Sequence, residues 1–323
     1  MKYSVKLRQI LILKPLFKVR DSIMQVTGLF KLKAKIKQRI FFRRLMKEDA
    51  RKKQEIEHEI YQLPKGLLDS SAMTDNDIII SLTSYGKRVQ DTLPYALYSL
   101  LIQTVMPKKI AVFLDDNQWN DEKLSLILQK LKDVGVDFYY CKDIRSYKKL
   151  IPALQLFPNN PIVTMDDDFY YNAKYMEWIT YAYQESDKKT VLGQWGCIPE
   201  KKDGEYIPYN QWKDCKHRTA SSEISFFGCC CCYPPSIFDN EIFNENVFMK
   251  LCPTADDIWF WVMEKRQNIK TQLIEPSGYG YNQSVNRIEE YDWSQTGTLM
   301  HANVVGGKND EQLRALLEFY QID

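Results

Sequence analysis

From Asp77 to Asp168 the chain alternates short apolar runs with amphipathic ones, and this restricts its fold more than any other feature. Residues 77–84, 109–114, 137–141 and 162–165 read as strands, rich in Ile, Val, Leu, Phe and Tyr. Between them, 93–105 (with Pro94 near its start), 122–134 and 150–157 carry helical spacing, and Gly135 closes the second of these. Strand and helix in strict alternation predict a mostly parallel sheet with helices on both faces. In such sheets ligands bind outside the carboxyl ends of the strands. Here those ends carry Thr83 with Arg88, Asp115 with Asp116, Asp143 with Lys148 and Lys149, and Asp166-Asp167-Asp168. Topology alone therefore gathers four polar clusters on one rim.

The last cluster is the most unusual. The run Pro161-Ile162-Val163-Thr164-Met165 ends in three aspartates and continues as Phe169-Tyr170-Tyr171. Carboxylates this close raise one another's pKa unless a cation or hydrogen-bond donors offset the charge. Oxygen donors suit a hard divalent ion such as Mg2+ or Mn2+, which keeps some waters and shares a phosphate with its substrate. An Asp-rich turn that merely caps the next helix would look the same in sequence.

Beyond residue 170 the pattern loosens. Residues 174–184 read as a helix, 191–195 as a strand, and 198–222 as a long polar loop containing Trp212. The run Phe226 to Tyr233, with Cys229 to Cys232 at its centre, reads as one core strand. Four adjacent cysteines lack metal-ligand spacing, and the whole chain has only three histidines, so zinc is poorly supported. Unpaired cysteines in a core point to a reducing compartment, so the expected location is cytoplasmic. Thr254 is the expected N-cap of a helix whose first turn holds Asp256 and Asp257. A strand at 272–274, a loop at 278–281 and a final helix at 311–320 complete the reading.

Charge is distributed unevenly. The 323-residue chain is formally +2, yet residues 1–50 hold 14 Lys and Arg against three acids, which leaves the body acidic. That body does not present the basic footprint that nucleic acid requires, so none is expected as a partner. Residues 1–60 mix basic and apolar positions, as in helices that lie on an anionic membrane surface. Docking on a partner subunit or on the chain's own domain is the competing reading. Residues 1–50 thus carry the expected membrane contact, peripheral on the inner face of the cell membrane. No apolar run approaches the roughly 20 residues of a membrane span. Pro64, Gly66 and Ser70-Ser71 suggest a linker, which puts a domain boundary near residue 75.

Four stretches in this order resemble the nucleotide-sugar glycosyltransferases of GT-A type, near the family 2 group that builds bacterial envelope polysaccharides: Ser81 to Arg88, Tyr147 to Leu150, Thr164 to Asp168 and Thr254 to Asp257. The resemblance implies a GT-A-like (Rossmann-like) α/β domain over 76–323, with a nucleotide-binding half at 76–170 and an acceptor half at 171–323. Residues 1–75 lie outside it. By the same resemblance, Thr83, Tyr85 and Arg88 hold the nucleotide, and Asp115 and Asp143 face its base and ribose. Lys148 or Lys149 meets the diphosphate. Asp166 lies near the ribose with Asp167 beside it, and Asp168 binds Mn2+ or Mg2+, joined by His301. Asp257, or its neighbour Asp256, is the general base that deprotonates an acceptor hydroxyl. The implied donor is a UDP-sugar, the acceptor a glycan or lipid-linked sugar, and the outcome inversion. The implied pair is usually Glu-Asp, so Asp256-Asp257 leaves the base open by one position.

Three other readings compete. A sugar-phosphate nucleotidyltransferase shares the sheet and metal chemistry, but it typically has a glycine- and lysine-rich loop where Ser84 to Arg88 has one glycine. A phosphatase of Asp-x-Asp type is disfavoured by Phe169-Tyr170. A non-catalytic, membrane-recruited scaffold would bind nucleotide without turning it over.

Overall fold

The computed structural model describes residues 28–71, 76–215, 220–221, 223–227, 230–277, 282–286 and 301–322. The basic residues 1–27 and the expected loop at 278–281 lie outside them. The chain divides into two compact units, Met1–Lys52 and Lys53–Asp323. Composition suggests a boundary near residue 75, but Ile56, Ile60 and Leu68 are buried in the main core, so the second unit starts earlier. Ile56 and Ile60 lie one turn apart at the end of the long helix Gly28–Gln62, with exposed or half-buried residues between them, and Leu68 follows in the short helix Leu67–Ser71.

An eight-stranded mixed sheet forms the frame of the second unit. Strands β1 (Ile79–Thr83), β2 (Lys109–Asp115), β3 (Asp137–Cys141) and β4 (Ile162–Met165) are mutually parallel in the order β4-β1-β2-β3. Past β4 come Cys231–Tyr233, which runs antiparallel, then Thr190–Gly193 and Lys270–Leu273, parallel to each other, and finally the antiparallel edge strand Ala220–Ser221. Side-chain alternation explains the burial: Ile78, Ile80 and Leu82 enter one core, Ile79 the other. Each face of β1 is thus covered, which is why these strands read as unbroken apolar runs. This is the mostly parallel sheet that the alternation predicts, and it is consistent with the GT-A-like (Rossmann-like) α/β fold that the resemblance implies.

Several elements differ from expectation. The cysteine run is not one strand. Ser225–Phe226 pairs with Gly196–Cys197 in a separate three-stranded sheet, whereas Cys231–Tyr233 belongs to the central one. Cys230, at φ +79°, turns the chain between them, and its N–H donates to Thr164 O. The helix expected over 122–134 is a 3-10 turn, Asp121–Lys123, followed by the helix Leu126–Val134, because Ser125 is extended. The polar loop 198–222 contains short paired strands, and Trp212 is buried against Tyr209 and Trp261. Cys141, Cys197, Cys232 and Cys252 carry free thiols. No helix among the described residues is long and apolar enough to cross a membrane.

Candidate active site

The 3-10 turn Arg145–Lys149 lies between β3 and the helix Ile151–Leu156, and it joins the two halves of the rim. Three contacts hold it against the helix Glu245–Leu251 and the loop that joins it to the helix Asp256–Arg266. The Tyr147 hydroxyl donates to Cys252 O at 2.5 Å, and its ring stacks on Phe248 with centroids 4.1 Å apart. Arg145, at φ +59°, donates to Pro253 O at 2.9 Å. Lys149 then reaches the carboxylates themselves. Its Nζ lies 3.0 Å from Asp256 Oδ2, 3.3 Å from Asp257 Oδ1 and 3.8 Å from Asp166 Oδ1. Burial alone would lower the pKa of this ammonium, but Asp256, Asp257 and Asp166 hold it well above its ordinary value.

The aspartate tip divides its three carboxylates. Asp166 faces Lys149, while Asp167 and Asp168 face the guanidinium of Arg88, which is 3.0 Å from Asp167 and in direct contact with Asp168. The Ser84 hydroxyl donates to Asp167 from the end of β1. Tyr171 fixes the turn from below: its hydroxyl accepts from Asp166 N–H at 2.8 Å and donates to Asp166 O at 2.9 Å. Burial raises the pKa of both Asp166 and Asp167, against the opposing pull of Lys149 on the first and of Arg88 on the second. The tip is a braced, partly desolvated charge cluster and not a simple helix cap.

The structure brings Arg88, Lys149, Asp166, Asp167, Asp168, Asp256 and Asp257 into one connected network. Lys148 is separate. It points to Asp143, whose carboxyl burial would raise but whose contacts with Lys148 and the Arg145 N–H hold it low. The two lysines expected to meet a diphosphate are thus each engaged by aspartate. Thr83 spends its hydroxyl on Phe113 O at 2.8 Å, and Asp115 accepts from Asn117 and Gln118 in its own turn. Tyr85 is exposed, and its ring centroid lies 5.6 Å from the Arg88 guanidinium carbon. Thr254 is not the N-cap; Ala255 occupies that position without a side-chain cap. The Thr254 hydroxyl binds Asn303 at 2.8 Å instead, and Asn303 donates back to Thr254 O at 2.6 Å. That pair ties the helical turn His301–Val305 to the start of the Asp256 helix.

Asp256 and Asp257 differ in access. The Asp256 side chain is 8 % exposed and the Asp257 side chain 29 %. Ser84, Tyr147 and Tyr171 are structural partners of the site to which the sequence assigned no such role, although Ser84 and Tyr147 fall within stretches that carry the resemblance and Tyr171 follows the aspartate run. Among the described residues, no three His, Cys, Asp or Glu side chains form a ready metal cage. Mg2+ and similar ions are commonly held by one or two carboxylates, with waters and substrate phosphates completing the shell. Asp168 suits that pattern in chemistry and access, since it and the Arg88 side chain that covers it are 18 % and 30 % exposed.

No known family profile matches the sequence, and no curated protein matches it. Among solved structures, S. aureus TarS 1-349 in complex with UDP aligns at TM-score 0.41 and 14% identity, over 63% of this chain and 59% of that one. The chain thus spans less than two thirds of that structure. A CMP:2-keto-3-deoxy-manno-octonic acid synthetase complexed with CTP aligns at 0.42 and 10% identity, over 68% of this chain and 97% of that one. Francisella tularensis 2-C-methyl-D-erythritol 4-phosphate cytidylyltransferase aligns at 0.41 and 9% identity, over 69% and 100%.

Proposed function

We propose that the chain is a glycosyltransferase that moves a sugar from a nucleotide-sugar donor, UDP-linked by resemblance, to a hydroxyl of a glycan or lipid-linked acceptor. One observation carries the reading: the buried Lys149 gathers Asp166 from the tip of β4 and Asp256-Asp257 from a helix start about 90 residues later in sequence. A donor-side acid and an acceptor-side acid pair therefore share one cation. Asp257 is the more accessible of the pair, which favours it as the base. In the proposed reaction Asp257 takes the proton of the acceptor hydroxyl as its oxygen bonds to the sugar's anomeric carbon. The bond from that carbon to the diphosphate breaks, and the nucleoside diphosphate departs with the electron pair. Arg88, once drawn from Asp168, meets the donor's phosphates. Asp168, with His301 as a second candidate ligand, would hold a divalent ion, which would supply charge neutralisation for a departing diphosphate.

A nucleotidyltransferase is the rival on this sheet. There the attacking group is a sugar phosphate, already anionic, and it needs no carboxylate base. The acid pair beside the tip supports hydroxyl activation instead. The test is a panel of nucleotide sugars assayed with Mn2+ for transfer, alongside pyrophosphate release from nucleoside triphosphates. Asp257→Asn is expected to lower transfer by about 10²–10⁴-fold while leaving donor-dependent thermal stabilisation in place. Product NMR is expected to report inversion. Pyrophosphate release without sugar transfer would replace this reading with the rival.

A further inference from the structure

Residues 28–52 form the described part of the first unit, the leading portion of the helix Gly28–Gln62. They carry ten Lys and Arg against Glu48 and Asp49. Basic residues recur at helical neighbour spacing, as in Lys33 with Lys37, Lys35 with Arg39, and Arg39 with Arg43, and such like-charge pairs oppose an isolated helix. Arg44 with Glu48 is an opposite-sign pair at this spacing. Every residue from 33 to 41 is exposed, including Ile36 at 47 % and Ile40 at 61 %. At 3.6 residues per turn these two isoleucines lie about 40° apart on the helix surface. Lys33 and Lys37 flank them on one side, Arg39 and Arg43 on the other.

We infer that the Ile36–Ile40 face is a docking surface for an anionic lipid bilayer. Negative headgroups would relieve the repulsion along the helix, while the two isoleucines enter the boundary between headgroups and acyl chains. Nucleic acid would meet the charge but would leave the apolar strip in water, so lipid is the occupant that uses both features. The inference is independent of the proposed catalysis.

The test is sedimentation of the full-length protein with vesicles of phosphatidylcholine alone and with 30 % phosphatidylglycerol, at low and at 0.5 M salt. Binding is expected only to the anionic vesicles, with loss at high salt. Ile36→Gln/Ile40→Gln keeps every charge and is expected to weaken binding about tenfold or more. Lys33→Glu/Lys37→Glu is expected to do at least as much. Circular dichroism and thermal unfolding serve as checks that the variants remain folded. Equal binding to neutral vesicles, binding to duplex DNA but not to vesicles, or an isoleucine variant that binds as the wild type does would each overturn the inference.

Discussion

Replacing Lys149 with Met tests the arrangement at its centre. Methionine keeps the length of the side chain and removes the charge, so Asp256, 8 % exposed and 3.0 Å from the ammonium, becomes a buried carboxylate without its cation. Breaking a buried ion pair from one side costs about 3–5 kcal/mol. Asp257 is partly solvated and Asp166 sits at 3.8 Å, so both add less, and the expected loss is near the lower end, about 3 kcal/mol at pH 7. The pH dependence separates charge from packing. Lys149 is held well above its ordinary value of 10.5, so its contribution is fully present below that value and is flat across the neutral range. In the variant Asp166, whose pKa burial already raises, loses the opposing pull of Lys149, so the unbalanced charge of the cluster shrinks as pH falls and this carboxylate protonates. Urea unfolding at pH 7 and pH 5 is the assay. A deficit that narrows at pH 5 is expected, with partial rescue by Lys149→Arg. A loss under about 1 kcal/mol at pH 7, or one independent of pH, would refute the reasoning.

Two other perturbations test the frame. A Cβ added at Gly193 would land 2.3 Å from the Phe226 ring, so Gly193→Ala should cost about 1–3 kcal/mol in urea unfolding, with partial recovery in Gly193→Ala/Phe226→Leu. Burial pushes the thiols of Cys197, Cys232 and Cys252 up to about 12 from an ordinary 9.0. Their folded pKa values are raised, so stability is full below pH 9 and declines as pH climbs toward 12, by about 1.4 kcal/mol per thiol at pH 10. Cys232→Ala should flatten that alkaline decline by about a third of the three-thiol effect, read from unfolding curves between pH 8 and pH 10.

The frame was legible in sequence because burial on both faces leaves an unbroken apolar signature in β1, β2 and β4, and β3 and β4 match their expected bounds. Residues such as Asp166 and Arg88 were legible for a related reason: strand ends of a parallel sheet share a rim whatever the connections do. Pairing was not legible. Lys148 and Lys149 are adjacent, but a 3-10 turn sets consecutive side chains about 120° apart and sends them to different acids. Ser84, Tyr147 and Tyr171 act through individual side-chain contacts, which leave no periodic trace. The cysteine run misled because two short strands of different sheets, one residue type and a left-handed turn at Cys230 imitate a single strand.

The charge balance of the network bears on how a donor could bind. Asp166, Asp167, Asp168, Asp256 and Asp257 face two cations, Arg88 and Lys149, a formal charge of −3 among these seven side chains. Both cations are already engaged by carboxylates, so a nucleoside diphosphate arriving alone would meet repulsion that little free positive charge offsets. Binding of the nucleotide together with a divalent ion removes that conflict, because the ion is attracted to the acids and to the phosphates alike. Nucleotide affinity measured by calorimetry should therefore fall by at least about tenfold, or ~1.4 kcal/mol, when Mn2+ is replaced by EDTA. Asp168→Asn, which removes one negative charge, should bind nucleotide in EDTA better than the wild type while losing most of the Mn2+ dependence. Equal nucleotide affinity with and without Mn2+ in the wild type would mean that Arg88 leaves its aspartates readily enough to serve the phosphates by itself, and the electrostatic argument for a metal at Asp168 would fail.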